Sequence, residues 1–257
     1  MIYAGIDAGS RAIKAVLWDG AAGRIAGSGV ADQGVQQGEL AAGLFENVLS
    51  KAGVARSDVG RVVATGYGRE GVSVADTTIT EITCHARGVR HCAGDVRTVI
   101  DIGGQDSKLI RLDEDGKVRD FMMNDRCAAG TGRFLEVVAD RLDIALAELG
   151  DVASEAANAS AISSMCVVFA ETEIVGLLAA GEGAANIVAG VQNSIALRIK
   201  AMAGRSLEEP VVFTGGVAML PGMRVAIETA IERPVKVAEN PQLTGALGAA
   251  LLAASDG

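Results

Sequence analysis

Residues 3–18 read YAGIDAGSRAIKAVLW and residues 99–112 read VIDIGGQDSKLIRL, so the chain carries one design twice, about 95 residues apart. In each copy an apolar stretch ends in an aspartate, Asp7 or Asp101, and a glycine turn, a polar residue and a second apolar stretch follow. The apolar stretches are typical of strands and the glycines of tight turns. An internal repeat of this kind indicates a duplicated fold.

The remaining pattern predicts an α/β protein. The first copy opens a glycine-punctuated β-meander, with strands predicted at 3–7, 12–18 and 24–30, rather than the strand-then-helix start of a Rossmann unit. Apolar spacing predicts helices at 40–51, 131–141, 145–149, 170–180, 184–203 and 243–254, and further strands at 61–64, 211–213 and 235–237. We therefore predict two related lobes, 1–95 and 96–257, with a cleft between them and a C-terminal helix that can pack back on the first lobe.

Composition narrows the class of protein. Hydrophobic residues make up 49% and charged residues 21% of the chain, the balance of a globular protein. The net charge of −9 argues against a nucleic-acid partner. No apolar run approaches the ~20 residues of a transmembrane helix, and the start MIYAGIDAGS lacks a signal-peptide pattern, so we expect a cytoplasmic protein without a membrane partner. The four cysteines are then expected to be free thiols or metal ligands.

The two glycine turns suggest a nucleotide site. Glycine lets backbone N–H groups approach a phosphate closely, and aspartates beside such a turn suit Mg²⁺ held through water. The residues predicted to act in this way are Asp7, Gly9, Ser10 and Lys14 in the first copy and Asp101, Gly103, Gly104 and Gln105 in the second, with Lys14 reaching a phosphate and Gln105 orienting the attacking water. Each turn taken alone could be an ordinary hairpin. The chain has no Walker A loop and no G-x-G-x-x-G opening a helix, and residues 66–69 (GYGR) match neither.

Long motifs across the chain resemble the BadF/BadG/BcrA/BcrD ATPase family, and within it the activators of 2-hydroxyacyl-CoA dehydratases. They are GIDAGS (5–10), ATGYGR (64–69), TEITCHARG (80–88), VIDIGGQDSK (99–108), NDRCAAGTGRF (124–134), AISSMCVVFAETE (161–173), TGGVA (214–218) and GALGAAL (245–251). The resemblance implies an actin/sugar-kinase/Hsp70 (ribonuclease H-like) fold that binds ATP or ADP. It also implies one [4Fe–4S] cluster per homodimer, and a low-potential electron passed to an iron–sulfur acyl-CoA dehydratase or reductase. The loops Gly130-Thr131-Gly132 and Gly215-Gly216 are expected to complete the nucleotide pocket.

The family places the cluster ligands at Cys127 and Cys166. Each of these cysteines precedes a predicted helix, and a helix N-terminus favours a thiolate. Two ligands per chain, doubled in a two-fold dimer, give the four that such a cluster takes. From the residues alone, small buried side chains are the favoured interpretation of both cysteines.

Two other groups of residues receive structural interpretations. Residues 84–85 (CH) and 91–92 (HC) lie on one predicted helix, where adjacent side chains diverge by ~100° and so do not share an ion easily. We expect ordinary thiols and partly exposed histidines there. Met122 and Met123 are expected to fill core space.

The sequence leaves three other functions open. The same motifs serve an ATPase subunit of a benzoyl-CoA reductase complex. A small-molecule kinase, such as a sugar kinase, would need a catalytic aspartate but neither Cys127 nor Cys166. A non-enzymatic nucleotide-binding scaffold would hold no iron and turn over little ATP.

Overall fold

A computed structural model describes residues 1–163, 166–204 and 207–255. The chain forms two compact units. The first comprises Met1–Val96, Leu112–Arg119 and the chain from Ala238 onward, and the second comprises Arg97–Arg111 and Asp120–Val237. The lobe boundary near residue 95 stays a prediction.

The first unit is built on a five-stranded sheet with the order β3-β2-β1-β4-β5. Its strands are β1 (Ile2–Ala8), β2 (Ala12–Asp19), β3 (Arg24–Asp32), β4 (Val59–Thr65) and β5 (Thr77–Thr78). β1 pairs antiparallel with β2 and parallel with β4. The meander predicted for the start of the chain is confirmed.

The second sheet repeats this topology with the order β10-β9-β6-β7-β8. Its strands are β6 (Thr98–Ile102), β7 (Ser107–Leu112), β8 (Val118–Asn124), β9 (Val211–Thr214) and β10 (Val235–Val237). β6 pairs antiparallel with β7 and parallel with β9, as β1 does with β2 and β4. The predicted duplication is confirmed at the level of strand order.

Helices cover both sheets. In the first unit they are α1 (Gln37–Ala52), α2 (Glu81–Ala93) and α8 (Thr244–Ser255). In the second unit they are α3 (Gly132–Leu142), α4 (Leu149–Ser154), α5 (Val167–Ala179), α6 (Ala184–Ala203) and α7 (Met223–Ile231). The threonines before α2 and α3 cap them, since Thr80 Oγ1 accepts from the Thr83 N–H and Thr131 Oγ1 from the Arg133 N–H. None of the described helices is long and apolar enough to span a membrane.

Strand alternation decides which side chains of β1 face which helix. Ile6 is buried in one cluster with Phe45 of α1, so Gly5 and Asp7 point to the opposite face, where α8 lies. A Cβ at Gly5 would come within 2.0 Å of the Ala246 carbonyl oxygen. Glycine at this position therefore lets α8 lie directly against β1, beside Asp7.

The second unit follows the same rule. Ile100 and Ile102 of β6 are buried in a core shared with helices α3 to α7. Asp101 between them faces the other side of the sheet. The duplicated strands thus each present one buried aspartate away from their main apolar cluster.

Met122 and Met123 contradict the prediction that they fill the core. They are 43% and 40% exposed, and Phe121 beside them is 50% exposed. The reason is topological, because β8 lies at the edge of its sheet and its side chains are exposed from Arg119 to Met123.

Candidate functional site

The aspartate that ends β1 is paired with a lysine on the next strand. Asp7 and Lys14 are direct cross-strand partners, and Lys14 Nζ donates to Asp7 Oδ2 over 3.0 Å. Asp7 is buried and the Lys14 side chain is 16% exposed. Lys14, predicted to reach a phosphate, here bonds the neighbouring carboxylate.

The second copy contains the same pair in a more buried form. Asp101 and Lys108 are cross-strand partners, and Lys108 Nζ donates to Asp101 Oδ2 over 3.2 Å and to Asp106 Oδ2 over 2.7 Å. The Lys108 side chain is 2% exposed. Sequence reasoning missed Lys108, although its spacing of seven residues from Asp101 equals that of Lys14 from Asp7.

In each copy a glycine that directly follows the neighbouring parallel strand lies close to the aspartate. Asp7 is in register with Thr65 and Asp101 with Thr214, and the next residue in each case is a glycine with positive φ. A Cβ at Gly66 would lie 2.4 Å from Asp7 Oδ1, and one at Gly215 would lie 2.7 Å from Asp101 Oδ1 and 2.3 Å from the Ile102 carbonyl oxygen. Both positions therefore need glycine. Gly215 is among the residues predicted to complete the nucleotide pocket, whereas Gly66 is not.

The first glycine turn is held by side-chain amides. The carbonyl oxygen of Gly9 accepts from Gln33 Nε2 over 2.7 Å, and that of Ala8 accepts from Gln37 Nε2 over 3.2 Å. The Gly68 N–H also donates to the Ala8 carbonyl oxygen, over 2.9 Å. These bonds fix the carbonyl groups of the turn that leads to Ser10, and neither glutamine was predicted to take part.

The glycine loops of the second unit meet at the end of β6. The Gly132 N–H donates to the Gly103 carbonyl oxygen over 2.9 Å, and the Arg133 N–H donates to that of Gly104 over 2.8 Å. The segments that come together here are Asp101–Gln105, Gly130–Gly132 and Thr214–Gly216, since a Cβ at Gly132 would also lie 3.2 Å from Val217 Cγ2. Gln105, predicted to orient a water, is exposed on the turn between β6 and β7.

The two predicted cluster ligands both precede helices. Cys127 is half-buried and occupies the N-cap position of the short 3₁₀ helix Ala128–Gly130. Its N–H donates to Asn124 Oδ1 over 3.1 Å, and Asn124 Nδ2 donates back to its carbonyl oxygen over 2.8 Å. Cys166 is exposed and occupies the N-cap position of α5. Each cysteine thus lies at the start of a helical segment, with Cys166 exposed and Cys127 packed partly against the apolar core of the second unit.

The other two cysteines have different surroundings. Cys84 is fully buried, and burial raises the pKa of its thiol to about 12. Burial also raises the pKa of the half-buried Cys92. Both environments disfavour the thiolate that binds metals. Among the described residues, no group of three or more His, Cys, Asp or Glu side chains could hold a metal ion.

The prediction that the histidines are partly exposed is wrong for His85, which is 7% exposed. The cause is the close packing of α2 on α8. A Cβ at Gly248 would lie 1.7 Å from the Cys84 carbonyl oxygen, and one at Gly88 would lie 2.0 Å from that of Thr244. His91 is exposed, and its ring packs edge-on against that of Trp18 at 4.9 Å.

Exposed apolar side chains follow Cys166 along α5. Val168 and Phe169, in the first turn of α5 after Cys166, are 68% and 69% exposed. Val175 and Leu178 of the same helix are also exposed. Only Ala170 and Ile174 of α5 are buried. Most of this apolar helix is therefore uncovered in the single chain.

The family model of the BadF/BadG/BcrA/BcrD ATPases matches residues 4–253. The chain belongs to this family. It is 45% identical to the activator of lactoyl-CoA dehydratase of Anaerotignum propionicum, over 98% of this chain and 97% of that one. It is 42% identical to the 2-hydroxyisocaproyl-CoA dehydratase activator of Clostridioides difficile, over 98% and 95% of the two chains.

A solved structure, the activator of the 2-hydroxyisocaproyl-CoA dehydratase from Clostridium difficile with bound ADPNP, superposes with a TM-score of 0.93. It is 41% identical to this chain, and the match covers 100% of this chain and 95% of that one. The predicted α/β fold of the actin/sugar-kinase/Hsp70 type is confirmed. So is the predicted membership of an ATPase family.

Proposed function

We propose that this protein is an ATP-hydrolysing electron donor that activates an iron–sulfur enzyme of the 2-hydroxyacyl-CoA dehydratase type. The observation that carries the proposal is the contrast among the four cysteines. Cys127 and Cys166 lie at the starts of helical segments, half-buried and exposed respectively, whereas burial raises the thiol pKa of Cys84 and Cys92. An ATPase with two such cysteines has the ligands for a cluster shared by two chains.

The nucleotide is proposed to bind at the two duplicated turns. Gly9, Ser10 and Lys14 of the first copy, and Gly103, Gly104, Gly130, Thr131, Gly132, Gly215 and Gly216 of the second unit, form its binding residues. Asp7, Asp101 and Gln105 are proposed to serve hydrolysis, with Gln105 orienting the attacking water from its exposed turn. The Lys14 side chain is partly exposed, so in this proposal it can leave Asp7 and bond a phosphate oxygen instead.

The carboxylates of Asp7 and Asp101 fit Mg²⁺, which takes oxygen ligands and keeps several waters. Each already bonds a lysine, so water-mediated contact suits them better than direct coordination. Bound Mg²⁺ would neutralise charge on the phosphates. The protein's own part is to hold the two carboxylates at the ends of β1 and β6.

Thiolates fit a [4Fe–4S] cluster, and Cys127 and Cys166 are proposed as its ligands from each of two chains. Such a cluster would store one low-potential electron. The exposed apolar residues after Cys166 support a second copy as the partner, because a dimer formed around these cysteines would remove Val168 and Phe169 from water. The names of the two relatives, both activators of acyl-CoA dehydratases, support a transient complex with an enzyme of that type.

The test is anaerobic purification of wild-type protein and of Cys127→Ala and Cys166→Ala, with Cys84→Ala and Cys92→Ala as matched controls. Iron, acid-labile sulfide and the EPR spectrum are measured on each. About four irons per dimer are expected in wild type and in both controls, and none in either of the first two variants.

Wild-type protein that binds no iron and still hydrolyses ATP would overturn the electron-donor function. Iron lost equally in the Cys84 and Cys92 variants would overturn the assignment of ligands.

A further inference from the structure

A buried histidine faces the same small space as Asp7. A methyl group built at Gly245 would lie 3.1 Å from His85 Nε2 and 3.2 Å from Asp7 Oδ2. Three elements of the first unit therefore meet here: β1 with Asp7, α2 with His85 and α8 with Gly245. The missing side chain of Gly245 is what opens the space between imidazole and carboxylate.

The other ring nitrogen is anchored. His85 Nδ1 lies 3.1 Å from Thr244 Oγ1, in a buried pair that joins α2 to the first residue of α8. Thr244 Oγ1 also lies 3.3 Å from the Pro241 carbonyl oxygen. The single hydroxyl hydrogen can serve only one of these acceptors, and the Nδ1 contact is the shorter.

A carboxylate on the Nε2 side favours the tautomer with its hydrogen on Nε2. Nδ1 then accepts from the Thr244 hydroxyl, and the Nε2–H points to the space shared with Asp7. This arrangement gives both nitrogens a suitable neighbour.

The packing leaves the ring little freedom. Gly88 and Gly248 bring α2 and α8 into backbone contact, and Gly5 brings α8 onto β1. His85 is 7% exposed and Thr244 is 1% exposed. A side chain fixed in this way can hold a neighbouring carboxylate in one orientation.

We infer that His85 is a positioning residue for Asp7, with Nε2 facing the carboxylate across the space at Gly245 while Thr244 holds the ring through Nδ1. The inference rests on the proposed function, in which Asp7 serves Mg²⁺-nucleotide. Lys14 Nζ donates to the same Oδ2 atom. Asp7 is thus oriented from β2 and from α2 together.

Two conservative substitutions separate the roles of the two nitrogens. The amide of His85→Gln reaches the position of Nε2 but not that of Nδ1, and the amide of His85→Asn reaches the position of Nδ1 but not that of Nε2. Both keep a polar group of similar size in the cavity. His91→Gln on the exposed face of α2 is the matched control.

The readouts are ADP affinity with and without Mg²⁺, ATP turnover and melting temperature. In His85→Gln the Mg²⁺-dependent gain in ADP affinity is expected to stay within about threefold of wild type, whereas in His85→Asn it is expected to fall about tenfold or more. Because the chain has two histidines, a long-range ¹H–¹⁵N spectrum of wild type and His91→Gln assigns the His85 nitrogens. A hydrogen on Nε2 is expected.

The inference would be overturned if the Mg²⁺-dependent gain in ADP affinity were the same in both His85 variants, or if it fell only in His85→Gln. A spectrum that shows the hydrogen on Nδ1 would also overturn it. Failure of the proposed function looks different, because wild type itself would then show no ATP turnover and no Mg²⁺-dependent nucleotide binding. A fall in melting temperature without a change in Mg²⁺ dependence would assign His85 a purely structural role.

Discussion

Lys108 Nζ lies 3.2 Å from Asp101 Oδ2, and the lysine side chain is 2% exposed. A second carboxylate, that of Asp106, lies 2.7 Å from the same nitrogen. In Lys108→Met two acidic groups lose their shared cation in a buried site. We expect the free energy of unfolding to fall by about 3 kcal/mol or more, measured by urea denaturation.

Lys14→Met is the matched control for Lys108→Met, since it removes the equivalent lysine from the first copy. The Lys14 side chain is 16% exposed and its carboxylate partner is Asp7, so solvent screens the remaining charge better. We expect the free energy of unfolding to fall by less than half as much as in Lys108→Met. Equal losses would contradict the conclusion that burial separates the two pairs.

Gly66→Ala and Gly215→Ala are expected to weaken ADP binding by about tenfold or more, because a methyl group at either position must displace an aspartate or the adjoining backbone. Isothermal titration with ADP measures the effect. Gly53 also has a positive φ, of 65°, but no atom lies within 4 Å of the methyl group that Gly53→Ala would add. This variant should lose about 1 kcal/mol of stability and keep wild-type affinity, whereas weakened binding in this control would point to a general loss of structure.

If two chains associate through the apolar residues after Cys166, as proposed above, Phe169→Asp is expected to shift iron-free protein largely to monomer, because the aspartate would place a charge in an apolar contact next to Cys166. Sedimentation velocity measures the change. Val225→Asp, on α7, alters a residue that is 52% exposed and should leave the dimer intact. A Phe169→Asp protein that remains dimeric would show that α5 is not at the contact.

Alkaline pH is expected to destabilise the protein through Cys84. The folded-state pKa of this thiol is raised to about 12 by burial, whereas in the unfolded chain it is near its ordinary value of about 8.5. Above that value the unfolded chain loses the proton first, so the Cys84 contribution to stability falls as pH rises from about 9 to 11, by up to about 1.4 kcal/mol per pH unit.

Cys84→Ala should therefore show a flatter decline of the free energy of unfolding between pH 8 and 10.5 than wild type, measured by urea titration of reduced, iron-free protein. Cys166→Ala, at an exposed position, should keep the wild-type slope. Parallel curves for Cys84→Ala and wild type would contradict a buried, protonated thiol.

Local pattern was sufficient to predict the strands that end in Asp7 and Asp101, because apolar runs and glycine turns are properties of neighbouring residues. It was also sufficient for most helices, such as α6, predicted and observed at residues 184–203. Lys108 could have been found from the repeat, by matching its position to that of Lys14.

The prediction that His85 is partly exposed is wrong because the burial of this residue depends on α8. The first residue of α8, Thr244, lies 159 residues later in the chain. The spacing of apolar residues within one helix does not indicate a contact between residues so far apart in the sequence. The exposure of Met122 and Met123 has a related cause, since whether a strand lies at a sheet edge is decided by strand order and not by its own residues.

The position of α8 in the first unit has a consequence for biosynthesis. Translation delivers β1 early, but the helix that packs on Gly5, and the threonine that anchors His85, are made only after the whole second unit. The face of the first sheet that α8 covers therefore stays uncovered while the ribosome synthesises more than half of the protein. The surroundings of Asp7 are therefore assembled after synthesis of the second unit, and a prematurely terminated chain would lack them.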